Sequence, residues 1–240
     1  MLMEQLVFDL APPEPPSFGN FLPGRNPELI TALDRVATGL AAETGLFVWG
    51  PPGAGKSHLL RAAVAAAAVR GVPASYIAAT GTLLAVDPEV LGKQALVAVD
   101  AIDTARAEAQ GRLFTLFNAL KATGGHFLAA SRAPLAALAL REDLRTRLGW
   151  GLVYELVPLT DADKPAALAA YARQRGFALA DEVIRYLLAH GRRDMTALLA
   201  ALAALDRHSL ATKHPITVPM LRDWLQRDMP LEARSDDPGP

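Results

Sequence analysis

The sequence has no cysteine among its 240 residues. That excludes a disulfide framework and any thiolate metal site, and it is compatible with a reducing compartment. An excess of basic charge is also missing: 24 Lys and Arg stand against 25 Asp and Glu, for a formal net charge of -1. Neutralising phosphates supplies most non-specific affinity for DNA, so a chain without a basic excess is expected to have no autonomous, specific DNA-binding domain. Long uncharged apolar runs are absent too. The stretch from Ala62 to Val69 is bracketed by Arg61 and Arg70 and falls short of the roughly 20 residues a membrane helix needs. The first residues include Glu4 and Asp9 and have no basic start followed by an apolar run, so no signal peptide is read and a cytoplasmic location is expected. The five histidines show no metal-ligand spacing. His126 and His190 read as structural, Trp49 and Trp150 as packing residues, and no Ser-His-Asp arrangement emerges.

What is present is an apolar half, 51% of the chain, dominated by alanine and leucine. Such a composition supports a sizeable, largely helical core. Residues 1–16 form a short tail and a linker, because Pro12, Pro13, Pro15 and Pro16 favour an extended polyproline path. From Ser17 to residue 160, short apolar runs alternate with helical patterns. Strands are expected at Leu46 to Trp49, Ala74 to Ile77, Leu96 to Val99, His126 to Ala130 and Val153 to Leu156. Helices are expected from Lys56 to Val69 and from Arg106 to Lys121, the latter with Leu113, Leu116, Phe117 and Leu120 on one face. This alternation predicts an α/β base with a parallel, doubly wound sheet. Residues 161–229 read as an all-helical lid, with helices at Asp161 to Arg175, Asp181 to His190, Met195 to Arg207 and Val218 to Arg227. Asp161 and Asp181 stand at expected N-caps, Gly176 and Gly191 at expected C-caps. Residues 230–240 are polar and proline-bearing and are expected to be disordered.

Gly50-Pro51-Pro52-Gly53-Ala54-Gly55-Lys56-Ser57 has the spacing of a Walker A phosphate loop, and it lies between an expected strand and an expected helix. The glycines let backbone N–H groups turn inward around a β-phosphate, Lys56 reaches the β- and γ-phosphates, and Ser57 offers a hydroxyl to Mg²⁺. Pro52, Gly53, Ala54 and Gly55 would line the anion. Leu96-Val97-Ala98-Val99-Asp100 is an apolar strand ending in a carboxylate, the Walker B pattern, so Asp100 is the second Mg²⁺-bearing residue. Active ATPases of the AAA+ type usually follow that carboxylate with an acid that orients the attacking water. Here the next residue is Ala101, with Asp103 two positions further on in no fixed direction. Intrinsic hydrolysis is therefore expected to be weak or absent.

These motifs resemble the DnaA-related AAA+ family, and in particular its shorter Hda branch, from about Ser17 to Arg227. Ser17-Phe18-Gly19-Asn20-Phe21 is similar to the segment that flanks the adenine pocket there, which implies nucleotide contacts from Phe18, Asn20 and Phe21. Gly55-Lys56-Ser57-His58-Leu59-Leu60 resembles the family's phosphate loop and adds His58 to the site. Leu116-Phe117-Asn118-Ala119-Leu120 resembles the helix after Walker B, and Ala130-Ser131-Arg132-Ala133-Pro134 the sensor 1 segment, where the family often has an acid in place of Ser131. Leu144-Arg145-Thr146-Arg147-Leu148-Gly149-Trp150-Gly151-Leu152 resembles box VII. The resemblance implies that Arg147 is an arginine finger acting on nucleotide held by a neighbouring subunit. Gly191-Arg192-Arg193-Asp194-Met195 resembles sensor 2, with Arg193 in the nucleotide-sensing place.

Gln5-Leu6-Val7-Phe8-Asp9-Leu10 resembles the short peptide that docks on the bacterial DNA polymerase III sliding clamp, with Gln5 in a polar subsite and Leu6, Phe8 and Leu10 in apolar ones. The chain stops soon after the lid, where DnaA continues into a helix-turn-helix domain, so it is expected not to be a complete initiator. The resemblance implies a regulator that binds ADP or ATP with Mg²⁺, docks on the clamp and meets ATP-bound DnaA. It would promote hydrolysis there and so restrain replication initiation; self-association is compatible with the same reading. Two other readings stand beside it. A helicase loader of the DnaC type would need no clamp peptide but would need a basic groove for single-stranded DNA. A stand-alone P-loop kinase or ATPase would need its own base and a second substrate pocket.

Overall fold

Strands covered on both faces must be apolar at nearly every position, whereas edge strands need not be. The computed structural model describes residues 15–192 and 195–228 and shows both kinds. β1 (Gly45–Trp49), β3 (Leu96–Val99) and β4 (His126–Ser131) are buried almost throughout, while β2 (Ala74–Ile77) and β5 (Leu152–Glu155) are only partly covered. The five strands are parallel, in the order β2-β3-β4-β1-β5, so β2 and β5 form the edges. The helices of this unit are α1 (Pro27–Ala37), α2 (Lys56–Val69), α3 (Pro88–Leu91), α4 (Ala107–Thr123) and α5 (Glu142–Gly149).

Successive side chains of a strand point to opposite faces, and the core divides accordingly into two layers. Phe47, Val97, Val99, Phe127 and Ala129 face Leu113, Leu116, Phe117 and Leu120 of α4 and Leu144 and Leu148 of α5. Phe117 meets Phe127 edge-on, with ring centroids 5.8 Å apart. On the opposite face Leu46, Val48, Leu96, Ala98, Leu128 and Ala130 meet Leu29, Leu33 and Val36 of α1 and Leu59, Leu60, Ala63 and Ala67 of α2. This is the α/β base expected of an AAA+ fold. α1 is an addition to the sequence reading: Pro27 opens it, and the spacing of its buried leucines and valine is that of one helical face.

The chain divides into two compact units, Pro15–Thr160 and one that contains the helices from Asp161 onward. The second holds α6 (Lys164–Gln174), α7 (Asp181–His190), α8 (Met195–Thr212) and α9 (Val218–Asp228). Its buried residues include Leu168 and Tyr171, Val183 and Leu187, Leu198 and Leu205, and Leu221 and Trp224.

Several ends differ from the sequence reading. α6 starts at Lys164 with Asp163 at its N-cap, and Asp161 instead accepts a hydrogen bond from Lys164 Nζ at 2.7 Å. Asp181 is the first helical residue and Ala180 the cap, so Asp181 supplies charge to the first turn in place of a side-chain cap. Gly176 takes the left-handed conformation (φ 82°), as a helix terminator should. Gly191 is extended; there a Cβ would lie 2.6 Å from the Leu187 carbonyl oxygen, so the glycine is set by close approach. α8 runs on to Thr212.

Candidate functional site

The loop between β1 and α2 is shaped by steric limits that only glycine meets. Gly53 and Gly55 have φ of 77° and 103°, which L side chains rarely adopt. A Cβ on Gly50 would sit 2.6 Å from the Leu156 carbonyl oxygen, and one on Gly55 would sit 2.7 Å from Phe21 Cε2. Pro52 and Gly53 are exposed and Ala54 is half-buried. Lys56 is buried and donates to the carbonyls of Gly50 (2.6 Å) and Pro51 (2.8 Å). Burial holds its ammonium below the ordinary lysine value; Asp100 and Asp103 pull the other way, and Arg132 adds to the lowering. The N-terminus of α2, with its open N–H groups, faces this turn, so loop and helix together form an anion cradle.

The sheet order places the acidic end of β3 one strand away from the phosphate loop, with β4 between them. Trp49 of β1 pairs with Ser131 of β4, and Ala129 of β4 pairs with Val99 of β3. Asp100, at the exit of β3, is buried. Its Oδ2 accepts from the Tyr76 hydroxyl at 2.8 Å and its Oδ1 from the Ala101 N–H at 2.8 Å. Burial, and then the bond to Asp100, raise the Tyr76 phenol above its ordinary value. Ala101 has a φ of 51°, an uncommon conformation for alanine. Asp103, left without a direction by the sequence, is held by Arg132: its Oδ2 lies 2.7 Å from Arg132 Nε, and its Oδ1 accepts from the Arg132 N–H at 3.3 Å. Ser131 is fully buried, and its hydroxyl donates to the Ala133 carbonyl.

Among the described residues no group of three or more His, Cys, Asp or Glu could hold a metal ion unaided. That suits Mg²⁺, which is usually bound by one or two protein oxygens and completes its shell with phosphate and water. Ser57, exposed in the first turn of α2, and Asp100 are donors of that kind.

The entry segment lies against the start of α2. Ser17 and Asn20 cap each other reciprocally around a short 3-10 turn, Phe18–Asn20. Phe18 and Phe21 pack at the edge of the α1–α2 core. His58 Nε2 is 3.0 Å from the Ser17 carbonyl oxygen, which can only accept, so the ring donates through Nε2. The Phe21 and His58 rings lie 5.6 Å apart, and burial lowers the His58 imidazole below its ordinary value. Phe18, Asn20, Phe21 and His58 are thus gathered near the phosphate loop.

Arg147 stands in the last turn of α5. Its guanidinium carbon lies 4.1 Å from the Trp150 ring centroid and 5.6 Å from that of Phe114. Its Nε is buried and, among the described residues, has no hydrogen-bond partner. Lys121 Nζ also approaches the Trp150 ring, at 4.6 Å. Trp150 is 55% exposed, so the packing expected of it is at the surface, against the two cations. Arg147 also lines an open groove of about 650 Å³, together with Phe114, Arg141, Glu142, Asp143 and Thr146. Gly151 serves the sheet instead, since a Cβ there would collide with the Gly45 carbonyl and the entry of β5 therefore requires glycine. The sequence reading missed Arg61, Tyr76 and Lys121, each of which meets its partner only through tertiary packing. Gln5, Leu6, Phe8, Leu10 and Arg193 lie outside the described residues.

The base and the helical unit after it define an AAA+ module of DnaA-related fold. Domain III of the replication initiation protein DnaA from Thermotoga maritima superposes with a TM-score of 0.70 at 22% identity, over 91% of this chain and 98% of that one. AMPPCP-bound DnaA from Aquifex aeolicus gives 0.66 at 22% identity, over 82% of this chain and 66% of that one. The RuvB Holliday junction branch migration motor of Thermotoga maritima gives 0.58 at 16% identity, over 89% and 72%. Within that class the helical unit is specific: residues 161–225 match the family model described as "Hda, lid domain". Residues 161–225 thus match the Hda lid, and the chain shares the fold of DnaA domain III. Among the described residues no helix is long and apolar enough to cross a membrane.

Proposed function

We propose that this chain is a regulator of replication initiation that binds ADP or ATP with Mg²⁺ and acts on ATP-bound DnaA. Lys56 and the N–H groups of the Gly53–Ser57 turn would hold the phosphates, with Ser57 and Asp100 on the cation side. Phe18, Asn20, Phe21 and His58 would border the base, and Arg193 would report on the nucleotide. Bound Mg²⁺ would supply charge neutralisation at the phosphates.

Arg147 carries the reading. Its guanidinium rests on the exposed Trp150 with a buried Nε that has no partner among the described residues, beside an open groove. A cation held by ring faces, with no carboxylate paired to it among the described residues, keeps its donors available for an incoming anion. Presented to nucleotide on DnaA, it would stabilise the charge that develops on the transferred phosphoryl group. The residues Gln5, Leu6, Phe8 and Leu10 would dock the chain on the DNA polymerase III sliding clamp and so concentrate it where replication has begun. Ala101 in the place of a water-activating acid fits a protein that keeps its own nucleotide and contributes to hydrolysis elsewhere.

The test combines ATP-bound DnaA, clamp loaded on DNA and this chain, and follows conversion to ADP-bound DnaA. Removal of an arginine finger typically lowers the rate by about 10³-fold or more. Arg147→Ala is therefore expected to abolish stimulation while clamp binding persists, and Gln5→Ala/Leu6→Ala to lose clamp binding. Stimulation that survives in Arg147→Ala refutes the role of Arg147; an intact chain that neither binds clamp nor stimulates DnaA refutes the function.

A further inference from the structure

Asp100 is tied to the phosphate-loop helix by a path that the phosphate-binding motifs do not contain. Tyr76 lies on the edge strand β2, and its ring packs at the margin of the α1–α2 core, a place a phenylalanine would fill equally well. What phenylalanine could not supply is the hydroxyl, which donates to Asp100 Oδ2 at 2.8 Å. The Ala101 N–H takes Oδ1 at 2.8 Å. A carboxylate turns easily about its last bond, but with one donor on each oxygen this one is fixed. Each oxygen keeps a lone pair for a hydrated cation.

The tyrosine is held in turn. The Arg61 guanidinium carbon stands 4.3 Å from the centroid of its ring. Arg61 is four residues beyond Ser57 in α2, so the two share one face of that helix. Arg61 and Tyr76 thus join Asp100 to the helix that carries Ser57, the other oxygen donor that the proposed Mg²⁺ would use.

We infer that Tyr76 is the positioning residue for Asp100, and that Arg61 holds Tyr76 in place so that the carboxylate meets the Mg²⁺ of a bound nucleotide. This rests on the Mg²⁺–nucleotide reading above. It concerns cation binding and leaves the phosphate contacts of Lys56 and the loop untouched.

The experiment measures the affinity of the intact chain for a fluorescent ADP analogue in EDTA and in Mg²⁺, and takes the ratio of the two. Loss of one hydrogen bond to a charged group is expected to cut that ratio about 10-fold in Tyr76→Phe, with the affinity in EDTA changed by less than about 2-fold. Arg61→Lys keeps a cation over the ring and should retain most of the gain, whereas Arg61→Ala should lose about 3-fold. In an Asp100→Asn background, Tyr76→Phe should do nothing further. An unchanged ratio in Tyr76→Phe overturns the inference. So does an equal loss in EDTA and Mg²⁺, which marks the ring as a packing element only. A wild-type chain with no nucleotide binding overturns the nucleotide reading itself, and one with no gain from Mg²⁺ overturns its Mg²⁺ part; either is recognised before any variant is compared.

Discussion

Gly53 and Gly55 both have positive φ, yet alanine at the two positions should not be equivalent. At Gly53 (φ 77°) an added Cβ meets nothing within 4 Å. The expected loss is the backbone strain of a left-handed alanine, about 1–2 kcal/mol, less about 0.4–1 kcal/mol regained because alanine restricts the unfolded chain. Gly53→Ala should therefore destabilise the base by about 1 kcal/mol. At Gly55 the φ of 103° lies outside the narrow left-handed region, and the Cβ would sit 2.7 Å from Phe21 Cε2. The backbone strain rises to about 2 kcal/mol, and forcing the ring aside adds about 1–3 kcal/mol. With the same unfolded-chain gain subtracted, Gly55→Ala should then lose about 2–4.5 kcal/mol, a gap of roughly 1–3.5 kcal/mol over Gly53→Ala. Urea-dependent hydrogen exchange in peptides covering β1 and β4 reports on the base alone. Phe21→Ala supplies the control: placed in the Gly55→Ala chain it should recover about 1 kcal/mol or more, because the clash is removed. Equal losses at the two glycines, or no recovery from Phe21→Ala, would refute the claim that the phosphate loop and the entry segment press against each other.

Three further outcomes are expected. The His58 imidazole is held below its ordinary value of 6.5 by burial, so above about pH 6.5 it is neutral in folded and unfolded chains alike and its favourable packing is fully present. As pH falls below that value the unfolded chain takes up the proton first, and stability declines until the folded value is reached. NMR titration of His58, together with a flatter stability profile in His58→Gln, checks both sign and source. Ala101→Gly should stabilise the base by up to about 1 kcal/mol, since glycine accepts a φ of 51° without strain; urea unfolding that shows a clear loss would contradict this. Gly151→Ala should cost about 3 kcal/mol or more, or prevent folding, because its Cβ would enter the Gly45 carbonyl, whereas Gly149→Ala, with open space around it, should be tolerated.

Much of the fold can be read from the sequence because its signals are local. The starts of β2, β3 and β4 and both ends of α2 follow from apolar runs closed by Gly, Pro or Asp, and the phosphate loop is one contiguous string. The helix boundaries after Pro158 are less legible. Asp161 and Asp181 look like caps, but the first pairs with Lys164 and the second enters the helix, a choice made by side-chain competition that residue type does not decide. The partners of the site are harder still. Tyr76 reaches Asp100 because β2 and β3 pair in parallel with Tyr76 opposite Ala98. Lys121 reaches Trp150 from α4, 29 residues earlier in the chain, whereas Arg147 meets it locally, one turn before the C-cap of α5.

The turn after β3 shows what such non-local contacts add. Position 101 lacks a carboxylate, and the nearest alternative, Asp103, is not a free acid. Its side chain is 11% exposed and paired with an Arg132 that remains 62% exposed. Solvent screening keeps that pair worth less than about 1 kcal/mol in stability, yet its geometry commits both carboxylate oxygens to Arg132. On the proposed reading the acid that should activate water is replaced at one position and engaged at the other. Arg147, in the last turn of α5, stands on an exposed ring, with no carboxylate paired to it among the described residues. On the proposed function, that distribution of charge would serve chemistry on a partner's nucleotide rather than on the chain's own. It also requires that Arg132→Ala, by releasing Asp103, raise intrinsic hydrolysis more than Arg147→Ala lowers it.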